Sequence, residues 1–142
     1  MIFLDTGYFK GIMDSKDNNH DAALKIENYL KGSNETTVIN TTVLVETLNW
    51  SVGTNDSVKE LYNDLYSKNN VIQLTAKDYL KSLEVNGWFK NSLNYSDCTI
   101  FNTMMVLEIN KIVSFDEGFR KINSLHVIYD MWGVFNEISL QN

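Results

Sequence analysis

Four acidic side chains, far apart in the sequence, have the residue type and the setting to do chemistry. Asp5 directly follows the apolar run IFL and opens the triplet DTG. Such a triplet fits half of an aspartic protease, where two carboxylates share one proton. It also fits the end of a buried strand whose acid holds a divalent metal ion, because Mg²⁺ prefers hard oxygen ligands. The positions of the other acidic residues distinguish these two interpretations.

The other three acids are Glu46, Asp97 and Asp116. Taken singly, each has a structural explanation. Asp97 stands at a predicted helix start, where an acid is favoured by the helix dipole, and Asp116 suits a turn. Glu46 lies in the apolar segment VLVETL, where a carboxylate is costly unless it points outward or is satisfied. Taken together, the four acids favour a common site.

Hydrophobic periodicity predicts the elements that would bring these acids together. Short apolar runs predict strands at 1–5, 36–40, 71–74, 112–115 and 126–128. Apolar residues at helical spacing predict helices at 20–31, 42–53, 56–67, 75–88 and 96–108. Strands separated by helices indicate an α/β fold with a parallel sheet. Ligand sites in such sheets lie beyond the carboxyl ends of the strands, which is where the acids fall.

Some predictions concern single positions within these helices. Thr42 and Thr75 are predicted helix caps, because their hydroxyls can accept from the first free amides. One face of the helix at 56–67 is predicted to carry Val58, Leu61, Tyr62 and Leu65. The helix after Thr75 carries Tyr79, Leu80, Leu83 and Trp88. The last dozen residues, with Trp132 and Phe135, stay unassigned.

Composition narrows the class of protein. With 142 residues and 44% hydrophobic content, residues 1–142 are expected to form a single domain with its own core. No apolar run approaches the ~18 residues of a membrane span, and no secretory signal is recognised, so a cytoplasmic location is expected. The single cysteine, Cys98, excludes an internal disulfide. A formal charge of −6 argues against a generic nucleic-acid binder, although a cation bound to clustered acids would offset it.

Three segments make the sequence similar to a known family. They are IFLDTGYF, TTVLVETL and NYSDCTIFNTMMVLEINKIVSFDEGFRKI. In this order they resemble the PIN-domain family of metal-dependent ribonucleases, most closely the small VapC-type toxins of toxin–antitoxin pairs. The third segment is the most specific, because an Asp-led helix, a short strand and the motif SFDxxF follow one another. The resemblance covers nearly the whole chain and implies a three-layer α/β/α sandwich with a central parallel sheet.

The resemblance also implies a site and an activity. The catalytic and metal-binding acids would be Asp5, Glu46, Asp97 and Asp116, with Thr6 and Ser114 as supporting hydroxyls. Asp5 and Asp97 are expected as direct ligands of Mg²⁺ or Mn²⁺, while the other two acids complete the site, orient water or hold a second ion. The implied reaction is in-line hydrolysis of RNA, leaving a 5′-phosphate and a 3′-hydroxyl. An antitoxin protein and a second copy in a homodimer are the implied partners, and no membrane is involved.

RNA contacts are less clear from sequence. The basic residues expected near the site are Lys10, Lys16, Lys111, Arg120 and Lys121, and the flanking aromatic residues are Tyr8, Phe9, Trp50 and Tyr95. Each basic residue taken singly is explained as ordinary solvated surface, and each aromatic residue as part of the core or of a partner-binding groove.

Other families fit less well. An aspartic protease is β-rich and needs a second copy of the triplet or a dimer mate that supplies it, and a haloacid-dehalogenase enzyme needs an Asp where Gly7 stands. Cys98 with His20 and His126 could suggest a thiol nucleophile, but a lone cysteine is most often a small buried hydrophobe. Two alternatives stay open: a stand-alone RNA-processing nuclease, and a catalytically silent PIN module acting in protein interaction.

Overall fold

Five short parallel strands form one central sheet in the computed structural model, which describes residues 1–51, 55–90 and 92–130. The strands are β1 (Ile2–Leu4), β2 (Thr37–Asn40), β3 (Asn70–Ile72), β4 (Lys111–Val113) and β5 (His126–Ile128). Their order across the sheet is β3-β2-β1-β4-β5. All five predicted strands are confirmed, although β3 starts one residue earlier and ends two residues earlier than predicted, and β4 ends before Ser114.

The strand order has a reversal at its centre. The chain moves outward from β1 to β2 and β3, then returns to β4 on the other side of β1 and continues to β5. Phe3 pairs with both Val38 and Ile112, so β1 is flanked by β2 and β4. Ligand sites of parallel sheets form beyond the strand ends at such a reversal. The loops that follow β1 and β4 therefore meet where a site is expected.

Seven helices connect these strands in the described part of the chain. They are α1 (Thr6–Met13), α2 (His20–Gly32), α3 (Thr41–Trp50), α4 (Asn55–Lys68), α5 (Ala76–Trp88), α6 (Tyr95–Val106) and α7 (Glu117–Arg120). Because parallel connections are right-handed, the outward and returning crossovers place their helices on opposite faces of the sheet. The result is the predicted three-layer α/β/α sandwich. None of the described helices is long and apolar enough to cross a membrane.

The hydrophobic core lies between the sheet and the helices. Its largest fully buried side chains include Phe3, Ile39, Ile100, Ile112 and Phe119. Helix α6 is unusual because every residue from 97 to 104 is buried. A helical segment that is covered on all sides belongs to the interior, so the polar residues between positions 97 and 104 of α6 are held inside the molecule.

The start of α3 differs from the prediction. The helix begins at Thr41, and its cap is Asn40, whose side-chain oxygen accepts a hydrogen bond from the Val43 amide at 3.2 Å. Thr42, the predicted cap, instead lies 2.8 Å from the Thr99 hydroxyl. The helix ends at Trp50, before the predicted end at Gly53, which lies outside the described residues.

Two helices expose apolar residues that periodicity alone would assign to the core. In α4, Leu65 is buried, but Tyr62 is exposed and packs against Tyr66 with 4.7 Å between ring centroids. In α5, the predicted cap Thr75 is confirmed by a reciprocal pair of hydrogen bonds with Asp78. The apolar residues of α5 that the sequence singled out are nevertheless exposed: Tyr79, Leu80, Leu83 and Trp88.

Candidate active site

A chain of hydrogen bonds joins the ends of the two central strands. Asp5 directly follows β1, and Ser114 directly follows β4, its neighbour in the sheet. The Ser114 hydroxyl donates to Asp5 Oδ2 at 2.7 Å, and the Asp116 amide donates to Ser114 Oγ at 3.1 Å. Ser114 therefore fixes the Asp5 carboxylate and ties the Asp116 backbone to it.

Asp5 is held at the start of α1. Its Oδ1 accepts from the Thr6 amide at 2.8 Å, and its own amide donates to the Val113 carbonyl at 3.0 Å. Burial raises the pKa of Asp5, and the negative charge of Asp116 raises it further, while the Ser114 and Thr6 hydrogen bonds lower it. The carboxylate is thus fixed in position but poorly solvated.

Asp97 sits on the buried helix α6 and is only 8% exposed. The cap of this helix is Asn94, whose side chain accepts from the Asp97 amide at 2.9 Å. Burial raises the pKa of Asp97 to about 7, and the charges of Asp5, Asp116 and Glu46 add to the increase. Asp97 therefore lies within the electrostatic reach of all three other acids.

Glu46 and Asp116 form the exposed side of this group. Although the Glu46 side chain is exposed, the surrounding protein displaces enough water to raise its pKa, and Asp5 raises it further. The nearby Thr6 hydroxyl lowers it, yet that buried hydroxyl completes no hydrogen bond with a described residue. Asp116 caps α7, its Oδ1 accepting from the Gly118 amide at 2.8 Å. The turn-forming role considered for Asp116 is therefore real, and it coexists with proximity to Asp5.

A buried polar network, which the sequence analysis missed, positions α3 against α6. The Asn40 amide group donates to the Thr99 carbonyl at 3.3 Å and to the Thr103 hydroxyl at 3.1 Å. Thr99 Oγ1 in turn donates to the Ser96 carbonyl at 2.7 Å. The network joins the helix that carries Glu46 to the helix that carries Asp97. The sequence signal that could have revealed this network is Asn40, because an asparagine between a predicted strand and a predicted helix is typical of a helix cap.

The donor set suits a hard divalent cation. Carboxylate and hydroxyl oxygens are the ligands that Mg²⁺ and Mn²⁺ prefer. None of the described ion pairs involves any of the four acids. Across residues 1–51, 55–90 and 92–130, no three His, Cys, Asp or Glu side chains lie close enough together to bind one ion as they stand. Burial is the main cause of the raised pKa values of Asp5, Glu46 and Asp97, and repulsion between the carboxylates adds to it.

The basic residues separate into two groups. Lys111 begins β4 at the opposite edge of the sheet and lies 3.0 Å from Glu35, so its predicted place near the site is wrong. Lys10 lies 3.9 Å from Asp17 and 6.0 Å from the Trp50 ring centroid. Arg120 ends the short helix that Asp116 begins. Lys10 and Arg120 therefore belong to the helices that are capped by Asp5 and Asp116.

Cys98 and the two histidines take structural positions. Cys98 is buried in α6 and accepts a long contact from the Asn86 amide at 3.7 Å. His20 begins α2, with Nδ1 2.7 Å from the Gly11 carbonyl, and His126 begins β5. These placements fit the interpretation that none of the three is catalytic.

Three solved structures are similar to this chain in fold. Mycobacterium tuberculosis VapC20, a sarcin–ricin loop-cleaving toxin, matches with a TM-score of 0.68 and 20% identity over 85% of this chain and 94% of its own. A chain of a Klebsiella pneumoniae toxin–antitoxin complex gives 0.69 and 14% identity over 92% and 99%. Rickettsia felis VapBC2, bound to a DNA fragment from its promoter, gives 0.64 and 19% identity over 89% and 97%.

The sequence itself also matches a family. No curated protein matches the chain at a significant level. The profile of the PIN domain matches residues 2–125, which is most of the chain and includes all four acids. The parallel sheet, its central reversal and the acids beyond β1 and β4 agree with that match. The chain therefore belongs to the PIN-domain family.

Proposed function

We propose that this chain, as a single domain, is a metal-dependent endoribonuclease that uses Asp5, Glu46, Asp97 and Asp116. The observation that carries the proposal is the position of Asp97, buried in α6 within reach of three other negative charges. Such a cluster is costly without a compensating cation. Membership of the PIN-domain family, whose members are ribonucleases, supports RNA as the substrate.

The two buried acids and the two exposed acids would have different roles in metal binding. Asp5 and Asp97 are buried, so they would hold the ion from within the protein. Ser114 binds the Asp5 carboxylate, and Asn94 holds the Asp97 backbone amide at the start of α6. Glu46 and Asp116 are exposed, so they can complete the coordination, orient the attacking water or support a second ion. The unpaired Thr6 hydroxyl beside Glu46 is a further oxygen for water or metal.

The reaction follows from this arrangement. A bound Mg²⁺ or Mn²⁺ would polarise the phosphodiester and lower the pKa of the attacking water. The water oxygen would attack the phosphorus as the bond between phosphorus and the 3′ oxygen breaks, and the leaving 3′ oxygen would take up a proton. One RNA fragment would then end in a 3′-hydroxyl and the other would begin with a 5′-phosphate. Ser114 prevents Asp5 from rotating away, because it donates to Oδ2 from a buried position.

We also propose that the chain is the toxin of a toxin–antitoxin pair. The similarity in fold to known toxins supports this, and so does a groove between α1, α2 and α4 of about 500 Å³. Its lining is largely apolar and includes Phe9, Ile12, Leu30 and Leu61. Its charged residues are of both signs, and Lys31 and Lys68 are paired with Glu27 and Asp64. A segment with apolar side chains would fit it. The lining includes Thr37 at the start of β2 and Asn69 just before β3, so such a segment would lie toward the amino edge of the sheet.

A second copy and a cellular location complete the proposal. The exposed apolar residues of α5 (Leu80, Leu83 and Trp88) would pack against another copy, since apolar patches on a soluble domain mark interaction sites. The cytoplasm is the proposed location, because RNA is the substrate.

Cleavage of a mixed RNA pool tests the activity. The wild-type chain is incubated with Mg²⁺, with Mn²⁺ and with EDTA, beside Asp97→Asn and Asp64→Asn. Asp64 is an exposed acid of α4, so it controls for the same chemical change away from the site. We expect metal-dependent products with 5′-phosphates, lost by more than about 100-fold in Asp97→Asn and retained in Asp64→Asn. Equal activity of Asp97→Asn and wild type would exclude the proposed site.

A further inference from the structure

A stacked cation–aromatic pair lies beside the carboxylates, on the β5 side of the site. Arg120 Cζ lies 3.7 Å from the centroid of the Tyr129 ring. Arg120 ends α7, the short helix capped by Asp116, and Tyr129 directly follows β5 at the carboxyl edge of the sheet. Four residues of helix span about 6 Å, so Arg120 stands one turn beyond a site acid. Both side chains are exposed.

Arg120 is the cation best placed to offset the charge of the site. The chain has a formal charge of −6, and Arg120 is its single arginine. Within the described ranges no carboxylate lies within ion-pair distance of Arg120. Lys111, by contrast, is paired with Glu35, and Lys10 lies near Asp17. A polyanionic strand approaching the four acids would therefore meet, on the α7 side, a cation that forms no ion pair with a described residue.

The stacking geometry suits a phosphate group. A guanidinium that stacks through its flat face keeps its N–H edge free, and this edge matches the oxygens of a phosphate as a fork. The ring also restricts the long side chain, so less conformational entropy is lost when a phosphate binds. Lysine offers neither the planar face nor the fork. The pair is therefore built for an oxyanion at a fixed position.

We propose that Arg120, held in place by Tyr129, binds a backbone phosphate of the RNA strand next to the phosphate that is cleaved. The inference rests on the proposed ribonuclease activity and adds a positioning residue to it. Arg120 takes no part in bond breaking. It fixes which phosphate of the strand lies over the carboxylates. It also attracts RNA electrostatically, which the negative formal charge of the chain otherwise opposes.

Binding of RNA without cleavage tests this directly. A fluorescein-labelled single-stranded RNA of mixed sequence is titrated by anisotropy into Asp97→Asn protein, alone and combined with each further substitution. We expect Arg120→Ala to weaken binding about tenfold and to reduce the slope of log affinity against log salt by roughly one phosphate contact. Arg120→Lys restores the charge without the fork and should recover part of the affinity. Lys25→Ala removes an exposed cation of α2, outside the groove lining, and should change nothing.

The aromatic partner and the kinetics give independent readouts. Tyr129→Phe keeps the ring and should bind as the parent does, whereas Tyr129→Leu should fall between the parent and Arg120→Ala. In active enzyme, Arg120→Ala should raise KM about tenfold with kcat little changed. Unchanged affinity, salt slope and KM in Arg120→Ala would overturn the role of Arg120 while leaving the nuclease intact. A wild-type chain that neither binds nor cleaves any RNA would overturn both proposals.

Discussion

Asp97 carries a large electrostatic cost, because it is buried and faces three like charges. Sequence alone placed it at a helix start, where an acid needs no further explanation. The structure shows that Asn94 supplies the cap, so the Asp97 carboxylate is available for another role. The type of residue was therefore informative, but its burial depends on the packing around α6, which is not visible in a local pattern.

The raised pKa of Asp97 predicts how stability depends on pH. Its folded pKa of about 7 exceeds its usual value of 3.8, so between these pH values the folded chain binds a proton that the unfolded chain does not. The stabilisation is complete below about pH 4 and is lost as pH rises through about 7. We expect the melting temperature of metal-free protein to fall over this range, with an upper limit of about 4 kcal/mol. Asp97→Asn should flatten the dependence; an identical pH profile for both proteins would contradict this assignment.

Ser114 is predicted to support metal binding by orienting the Asp5 carboxylate. Ser114→Ala removes the donor to Asp5 and the acceptor for the Asp116 amide, and we expect Mn²⁺ affinity to fall about 10- to 100-fold. Ser82→Ala is the matched control, because Ser82 is equally buried and donates to the Asp78 carbonyl at 2.7 Å on α5. Calorimetric titration of Mn²⁺ into each variant separates the cases. Equal losses of affinity in both would indicate a general structural effect.

At the scale of elements, most helices and all five strands could be predicted from periodicity and turn chemistry. The departures share a physical cause, because they depend on long-range contacts. Asn40 replaced Thr42 as the cap of α3 because its amide also reaches α6, 59 and 63 residues away. Leu80 and Leu83 have helical spacing, yet they face solvent. A periodic pattern gives the helix but does not say which surface will cover it.

Asn40 is predicted to have two separable functions: it caps α3, and its amide group ties α3 to α6. Asn40→Ser keeps a cap oxygen but removes the two donations to Thr99 and Thr103, whereas Asn40→Ala removes both functions. We expect Asn40→Ala to lower the free energy of unfolding by about 1–3 kcal/mol. Asn40→Ser should be milder in stability but should still weaken Mn²⁺ binding, because α3 and α6 carry Glu46 and Asp97. Urea unfolding and calorimetry would test this, and wild-type metal affinity in Asn40→Ser would refute the tether.

At the scale of the whole molecule, the reversal between β1 and β4 explains how acids 111 residues apart in sequence, Asp5 and Asp116, come together. The same topology puts two apolar surfaces on the exterior: the groove of α1, α2 and α4, and the exposed face of α5. A chain with two such surfaces can bind a partner segment and a second copy at the same time.

The α5 face yields a prediction about assembly. Leu83 is 57% exposed, and a charge placed there would be buried without a partner in a dimer. We expect the wild-type chain to be dimeric and Leu83→Asp monomeric by size-exclusion chromatography with light scattering. Leu24→Asp, on the exposed side of α2, is the control and should remain dimeric. A Leu83→Asp protein that still dimerises would place the interface elsewhere.

Direct titration of Mn²⁺ into metal-free protein is the first measurement to make, because every step of the proposed chemistry depends on a cation among these four acids. Calorimetry of the wild type should show saturable binding, accompanied by the release of protons near neutral pH as Asp97 becomes ionised. Asp97→Asn should lose that binding, and Asp64→Asn should keep it. Absence of Mn²⁺ binding by the folded wild-type chain, or equal binding by Asp97→Asn, would show that the carboxylates beyond β1 and β4 are not a metal site.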